Sequence, residues 1–259
     1  MSESTLTIVF SDLQKAVGFF LGWGSDSSNW SAEELSAINS IVQSGYRKFL
    51  VPPKLSENDP VHVWSFTCPN ASLSLTAGTD DYDLPADFGG LRTGFYYSEG
   101  SLRNPIDIVG IGQVLEDRAR LAATGRARKA AIRPKEFTGD TESVRYEVLL
   151  YPNPQSDATL YYQYNVLLHK LSDSAPYPIG GMDHGETLLE SCLAVAESRQ
   201  DDELGPHHDL FMERLAASIE RDRRVMTPDT LGYNADYSDG SQYGRRSTHV
   251  VTVNGVSYP

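Results

Sequence analysis

Two hydrophobic periods, one at the ends of the chain and another in the middle, constrain this fold more than any single motif. Ser11-Asp12-Leu13-Gln14 reads as a capping box, followed by Leu13, Ala16, Val17, Phe20 and Leu21 at helical spacing, with Gly22-Trp23-Gly24 as the stop. A second box, Ser31-Ala32-Glu33-Glu34, opens a helix that carries Leu35, Ile38, Ile41 and Val42 and ends before Pro52-Pro53. From Val61 to about Leu168 the texture is mostly that of strands: "VHVWSFT", "SLSLTA", "YDLP", "TGFYYSEG", "RYEVLLYPNP" and "ATLYYQYNVLLHK". "DLPADFGG" and "YPNP" carry turn chemistry, and "IGQVLEDRARLAATG" interrupts the strands as a helical segment. Helical period returns at Asp183-His184-Gly185-Glu186 with Leu188, Leu189, Cys192, Leu193 and Ala196. Gly205-Pro206 breaks it, and Phe211, Leu215 and Ile219 continue on a further helix to about Arg224.

An amphipathic helix must bury its stripe, and the helices before and after the strands have complementary needs. The fold class expected is α+β: a helical bundle of N- and C-terminal helices with an inserted, mainly antiparallel β domain and an extended C-terminal tail. The expected bounds are 1–59 and 171–226 for the bundle, 60–170 for the β domain and 227–259 for the tail. The period of two in "HVWSF" predicts Trp64 and Phe66 facing the β domain's core.

The tail "TPDTLGYNADYSDGSQYGRRST" has no helical or strand period, yet it ends in "HVVTVNGVSYP". Alternation on both sides of Asn254-Gly255 predicts a tight hairpin, which alone is marginal in water. Tyr233, Tyr237, Tyr243, Val251, Val253, Val256 and Tyr258 are therefore candidate partner-binding residues, on a sheet edge or in a groove.

Composition excludes some roles. The 259 residues carry a formal charge of -13, and a negative surface disfavours wrapping a duplex or lying on an anionic membrane. The N-terminus has no signal-peptide pattern, and no apolar run approaches the roughly 20 residues that span a bilayer. Cys68 and Cys192 read as buried thiols of a protein made in a reducing cytoplasm, where the sequons at Asn29 and Asn70 stay unmodified.

No chemical motif assembles. "GIGQVL" lacks the third glycine and the βαβ setting of a dinucleotide loop. His207 and His208 point about 100° apart on a helix, which is unsuited to one metal. Asp80, Asp81, Asp83 and Asp87 suggest a calcium loop, but Pro85 and Ala86 stand where a ligand and the turn glycine belong. A basic run remains: Arg118, Arg120, Arg126, Arg128, Lys129, Arg133 and Lys135, with no acidic residue among them. In an acidic chain the first six are candidate contacts to a neighbouring subunit rather than to DNA.

An ordered series of stretches resembles the head-to-tail adaptor (connector or neck) proteins of tailed bacteriophages, including the tail tubular proteins of short-tailed phages. It comprises "NWSAEELSAINSIVQSGYRKFLVPP", "HVWSFT", "YDLPADFGGL", "LLYPNP", "TLYYQYNVLLHKLSDSAPYPIGG", "HGETLLESCLAVAESR", "FMERLAASIERDRR" and "PDTLGYNAD", from about Trp30 to Asp236. The resemblance implies a ring, usually of twelve copies, beneath the portal protein in the neck of the virion. Such a ring meets the next neck or tail component and lets genomic DNA pass through its lumen without specific binding. It implies no catalytic residue, metal or cofactor. The alternative from another class is an aromatic-rich β module that binds carbohydrate on tyrosine and tryptophan platforms.

Overall fold

The computed structural model describes residues 4–57, 60–97, 106–135 and 144–225, with the backbone of 251–253 and 256–258. Its helices are α1 (Phe10–Phe20), α2 (Ala32–Leu50), α3 (Ile111–Arg120), α4 (Gly185–Asp201) and α5 (Pro206–Val225). The strands begin with β1 (Asn70–Leu75), β2 (Asp81–Asp83), β3 (Phe88–Leu91), β4 (Tyr96–Tyr97), β5 (Asp107–Ile108) and β6 (Thr124–Gly125). They continue with β7 (Lys129–Pro134), β8 (Tyr146–Tyr151), β9 (Asn153–Pro154), β10 (Ala158–Val166), β11 (Val251–Val253) and β12 (Val256–Tyr258). The fold is α+β, with the helical unit formed by Met1–Thr67 and Leu168–Asp229 and the β unit by Cys68–Leu167, with which the terminal strands β11 and β12 are grouped.

In the helical unit α2 starts as its sequence dictates. Ser31 Oγ accepts from the Glu34 N–H at 3.2 Å, and the Glu34 carboxylate accepts from the Ser31 N–H at 2.7 Å. Glu33 and Glu34 at its start and Arg47 and Lys48 at its end suit the helix dipole. Helix α1 begins two residues earlier than its sequence indicates: Val9 rather than Ser11 is the cap, Asp12 reaches back to the Val9 N–H at 3.3 Å, and Ser11 is already helical. At the other end of the chain, Asp202 turns left-handed (φ 54°) to end α4, and Pro206 opens α5.

The core gathers Leu13 and Val17 of α1, Ile38, Val42 and Phe49 of α2, Leu188 and Cys192 of α4, and Phe211 and Leu215 of α5. Helices α2 and α4 touch closely at Gly45. A β-carbon there would lie 2.6 Å from the Cys192 Cα and 2.8 Å from its N. Ser191 Oγ also donates to the Gly45 carbonyl at 2.8 Å. Backbone cannot give way as a side chain can, so Gly45→Ala forces the helices apart. The expected loss is about 1–3 kcal/mol, read from chemical denaturation.

Trp64 departs from the expectation. "VHVWSFT" forms no strand: it runs irregularly into a short 3-10 turn, Ser65–Thr67. Trp64 is fully buried, but in the helical core, where its Nε1 donates to the Phe49 carbonyl at 2.9 Å. Phe66 packs against the same core. Asp222 of α5 explains the conformation. Its carboxylate accepts from the Ser65 N–H at 3.1 Å and from Ser65 Oγ at 2.5 Å, and it pairs with His62 Nε2 at 2.9 Å. A side-chain acceptor thus replaces the strand ladder that the alternation implied.

His184 lies beside Phe49, Trp64 and Phe66, and burial holds its imidazole below the ordinary range. Well above pH 6.5, the ordinary imidazole value, it is neutral both folded and unfolded, and contributes nothing to the pH dependence. As pH falls through that value the unfolded chain takes the proton first, so stability drops until the folded form also titrates. Between about pH 7 and pH 5, wild-type stability should fall more steeply than that of His184→Gln, by at most about 1.4 kcal/mol per pH unit.

In the β unit, β10 is central to one sheet, with β1 on one side and β3 and β4 on the other. A second sheet runs β2-β8-β7-β5, with β5 parallel to β7, and β6 and β9 form a parallel pair. Antiparallel pairing dominates. Phe88–Leu91, which carries turn residues, is strand β3; Gly90 (φ 146°) permits it, and a β-carbon on Gly89 would meet the Asn165 carbonyl at 2.9 Å. Between the sheets lie Leu75, Tyr82, Phe88, Phe95, Val148, Leu150, Leu160, Tyr162 and Tyr164. Burial pushes the Tyr162 phenol up to about 12. Helix α3 forms on "IGQVLEDRAR" and packs Val114 against Ala131 and Leu149 of β7 and β8.

Candidate functional site

The basic run does not stand free. Pairing of β2 with β8, and of β8 with β7, brings it against Asp81 and Asp83 of β2 and Asp80 just before that strand. Arg118 Nη2 lies 2.8 Å from the Asp81 carboxylate and 2.9 Å from the carbonyls of Asp80 and Leu150, and Nη1 lies 3.4 Å from the Asp80 carboxylate. Arg133 bridges Asp81 at 3.3 Å and Glu147 at 2.5 Å, and the Glu147 hydrogen bond raises its pKa. Lys129 pairs with Asp117 at 2.6 Å, and Lys135 with Asp83 at 2.8 Å. Asp87 accepts from the Tyr164 hydroxyl at 3.1 Å. Asp80, Asp81 and Asp83 thus pair with Arg118, Arg133 and Lys135, and together with Lys129–Asp117 these contacts tie α3 to β2, β7 and β8.

The remaining residues of the run differ. Arg120 pairs with Glu116 one turn back on α3, where both are exposed and the pair contributes little. Arg126 stacks on the Tyr97 ring, 3.7 Å from its centroid. Arg128 is exposed and meets no carboxylate among the described residues.

The other sequence candidates also find structural partners. His207 Nδ1 lies 2.8 Å from buried Glu190, and its backbone N–H donates to Glu197 at 3.0 Å, capping the start of α5. His208 lies 3.7 Å from Asp209. Among the described residues no group of three or more His, Cys, Asp and Glu side chains is placed to hold a metal. "GIGQVL" is the start of α3, capped by Gly110 without a side-chain bond. Among the described residues neither cysteine is in a disulfide; Cys192 is buried, its thiol pushed up to about 12, while half-buried Cys68 donates to Asn165 Oδ1 at 3.2 Å. No helix among the described residues is long and apolar enough to cross a membrane.

The terminal hairpin pairs as the sequence predicts. Val251 stands opposite Tyr258, Thr252 opposite Ser257 and Val253 opposite Val256. By the period of two, Val251, Val253, Val256 and Tyr258 share one face of the ribbon. Tyr233, Tyr237 and Tyr243, and the turn residues themselves, lie outside the described residues.

Aromatic side chains of the β unit mostly build its interior: Phe88 stacks with Tyr164, and Phe95 packs on Tyr162. Tyr96 and Tyr161, directly opposite across β4 and β10, stay exposed. Two rings on a polar sheet face are a small platform compared with what the carbohydrate reading asks.

A helical unit and a β unit whose charged groups largely serve its own packing define a two-unit scaffold. The family model for the SU10 adaptor protein matches residues 9–232, spanning both units. The chain belongs to this family of bacteriophage adaptor proteins. No curated protein sequence matches it.

Proposed function

We propose that the protein is the structural head-to-tail adaptor of a tailed bacteriophage: a ring, usually of twelve copies in such adaptors, seated under the portal in the virion neck. The ring extends the DNA channel and offers a platform to the next neck or tail component. The family match over residues 9–232 carries this reading. Charge supports it, since each copy brings -13 and an acidic lumen keeps a duplex sliding rather than bound. The intrachain network supports it as well, because it takes Arg118, Lys129, Arg133 and Lys135 away from phosphate.

Mass photometry of the protein with and without portal tests the reading. A closed ring should form on the portal, and a chain that stays monomeric in its presence overturns the proposal. Within the basic run, Arg128 and Arg126 remain the subunit-contact candidates. Arg128→Glu should weaken ring formation and leave the monomer's thermal midpoint unchanged. Arg118→Ala, by contrast, should cost the β unit about 1–3 kcal/mol by leaving Asp81 and two carbonyls short of a donor. Equal assembly by Arg128→Glu and wild type would remove that residue from the interface.

A further inference from the structure

We propose that the terminal hairpin of one copy adds as a strand to the open edge of β1 in a neighbouring copy. The first observation is the edge itself. Gln163 of β10 stands opposite Asn70, but its backbone serves the other neighbour: its carbonyl accepts from the N–H groups of Arg92 (2.8 Å) and Thr93 (3.3 Å), and its own N–H donates to Thr93 Oγ1 at 3.0 Å. Asn70 and Gln163 are therefore a non-hydrogen-bonded pair. By alternation the N–H and C=O groups of Asn70, Ser72 and Ser74 point away from β10. Among the described residues these groups have no partner, and all three residues are exposed.

The same edge is closed where the strand ends. The Tyr82 hydroxyl lies 3.1 Å from the Thr76 N–H and 3.0 Å from its carbonyl. The chain thus satisfies one outward position and leaves the three before it open. Natural edges are blunted by charge, proline or a bulge, but "NASLSL" carries no charge and no proline, and its register on β10 is unbroken.

The second observation is the match of faces. On the core side Ala71 and Leu73 are only half-buried, so the apolar layer is unfinished at this edge. On the other side stand Asn70, Ser72 and Ser74. The hairpin strands "VTV" and "VSY" repeat that division, with Val251, Val253, Val256 and Tyr258 at one set of positions and Thr252 and Ser257 at the other. Added to β1, either strand continues the apolar layer below and the hydroxyl face above. A two-stranded ribbon gains a sheet that it lacks by itself. Among the described residues β11 and β12 pair only with each other and β1 keeps its edge open, and copies seated side by side in a ring bring the hairpin of one to the β1 edge of the next. The 25 residues between Val225 and Val251 allow a reach of at most roughly 85 Å.

The proposal rests on the ring reading only in requiring copies side by side. Full-length Ser72→Cys is mixed with full-length Thr252→Cys, or with Ser257→Cys, under mild oxidation, both with and without portal. Single variants serve as blanks for the native Cys68 and Cys192. A disulfide-linked dimer should appear only in the mixture. Ser74→Pro, which removes an outward N–H but no bond to β10, should reduce its yield by about tenfold with the fold intact by circular dichroism. Rings that assemble without the cross-link, or a yield indifferent to Ser74→Pro, overturn the strand addition and leave the ring standing. A cross-link within one chain carrying both cysteines, at a concentration where copies do not meet, also overturns it. A cross-link between copies that never close on portal supports the strand addition and sinks the ring.

Discussion

Trp64→Ala should lower the stability of the helical unit by about 3–5 kcal/mol, the cost of emptying a large aromatic site. Trp64 is 0% exposed and contacts Phe49, Phe66 and His184 through ring centroids 4.9, 5.3 and 5.1 Å away. Its Nε1 is also the donor for the Phe49 carbonyl, so truncation leaves a buried acceptor short of a partner. Trp64→Phe separates the terms: it keeps most of the volume and loses the donor, so it should cost about half as much. Location matters as much as size. Native-state hydrogen exchange should show protection lost first in α2, α4 and α5, with β7 and β8 retaining theirs. Loss centred on the β unit would return Trp64 to the place that its alternating sequence indicates.

That residue shows why some of the fold is legible in the sequence and some is not. Ser31 and Glu34 are three residues apart, and their capping bonds form within one turn, so a local pattern sufficed. The stripe of Ile38, Ile41 and Val42 is likewise a local period, and all three are buried. In "HVWSF" the alternation is real, but what decides the conformation is Asp222, far along the chain on another helix. Five residues of period two cannot report an acceptor that distant. The charged network failed to show for a related reason: Arg118 and Asp81 carry no mark of each other until β2, β8 and β7 pair. Read alone, an unpaired basic run looks like a surface for a partner. Alternating signs 37 to 52 positions apart (Arg118 with Asp81, Lys135 with Asp83) offered the only hint. The terminal hairpin was legible because Asn-Gly with flanking alternation is a local code, and its register followed. What it docks on was not, since an open edge is a property of the folded sheet.

Asp222→Ala should cost about 3–5 kcal/mol, comparable with Trp64→Ala but by a different route. Asp222 is 2% exposed and occupies the last turn of α5, where it gathers the Ser65 N–H, the Ser65 hydroxyl and His62. Alanine removes the buried acceptor that the Ser65 N–H, the Ser65 hydroxyl and His62 share, which is costlier than never having placed those groups there. Asp222→Asn keeps the shape and one acceptor oxygen but turns its amide donor toward groups that themselves donate, so it should recover only part of the loss. Ser65→Ala removes a single bond and should cost about 1 kcal/mol. That order, alanine worst, asparagine intermediate and Ser65→Ala mildest, distinguishes a shared acceptor from a simple packing defect. The effect should also be directional. Asp222 holds the end of the helix from which the tail leaves, so amides of α5 from Ser218 to Val225 should exchange faster in Asp222→Ala while those of α1 keep their protection. Equal thermal midpoints for wild type and Asp222→Ala would mean that the 62–67 segment is held by Trp64 alone.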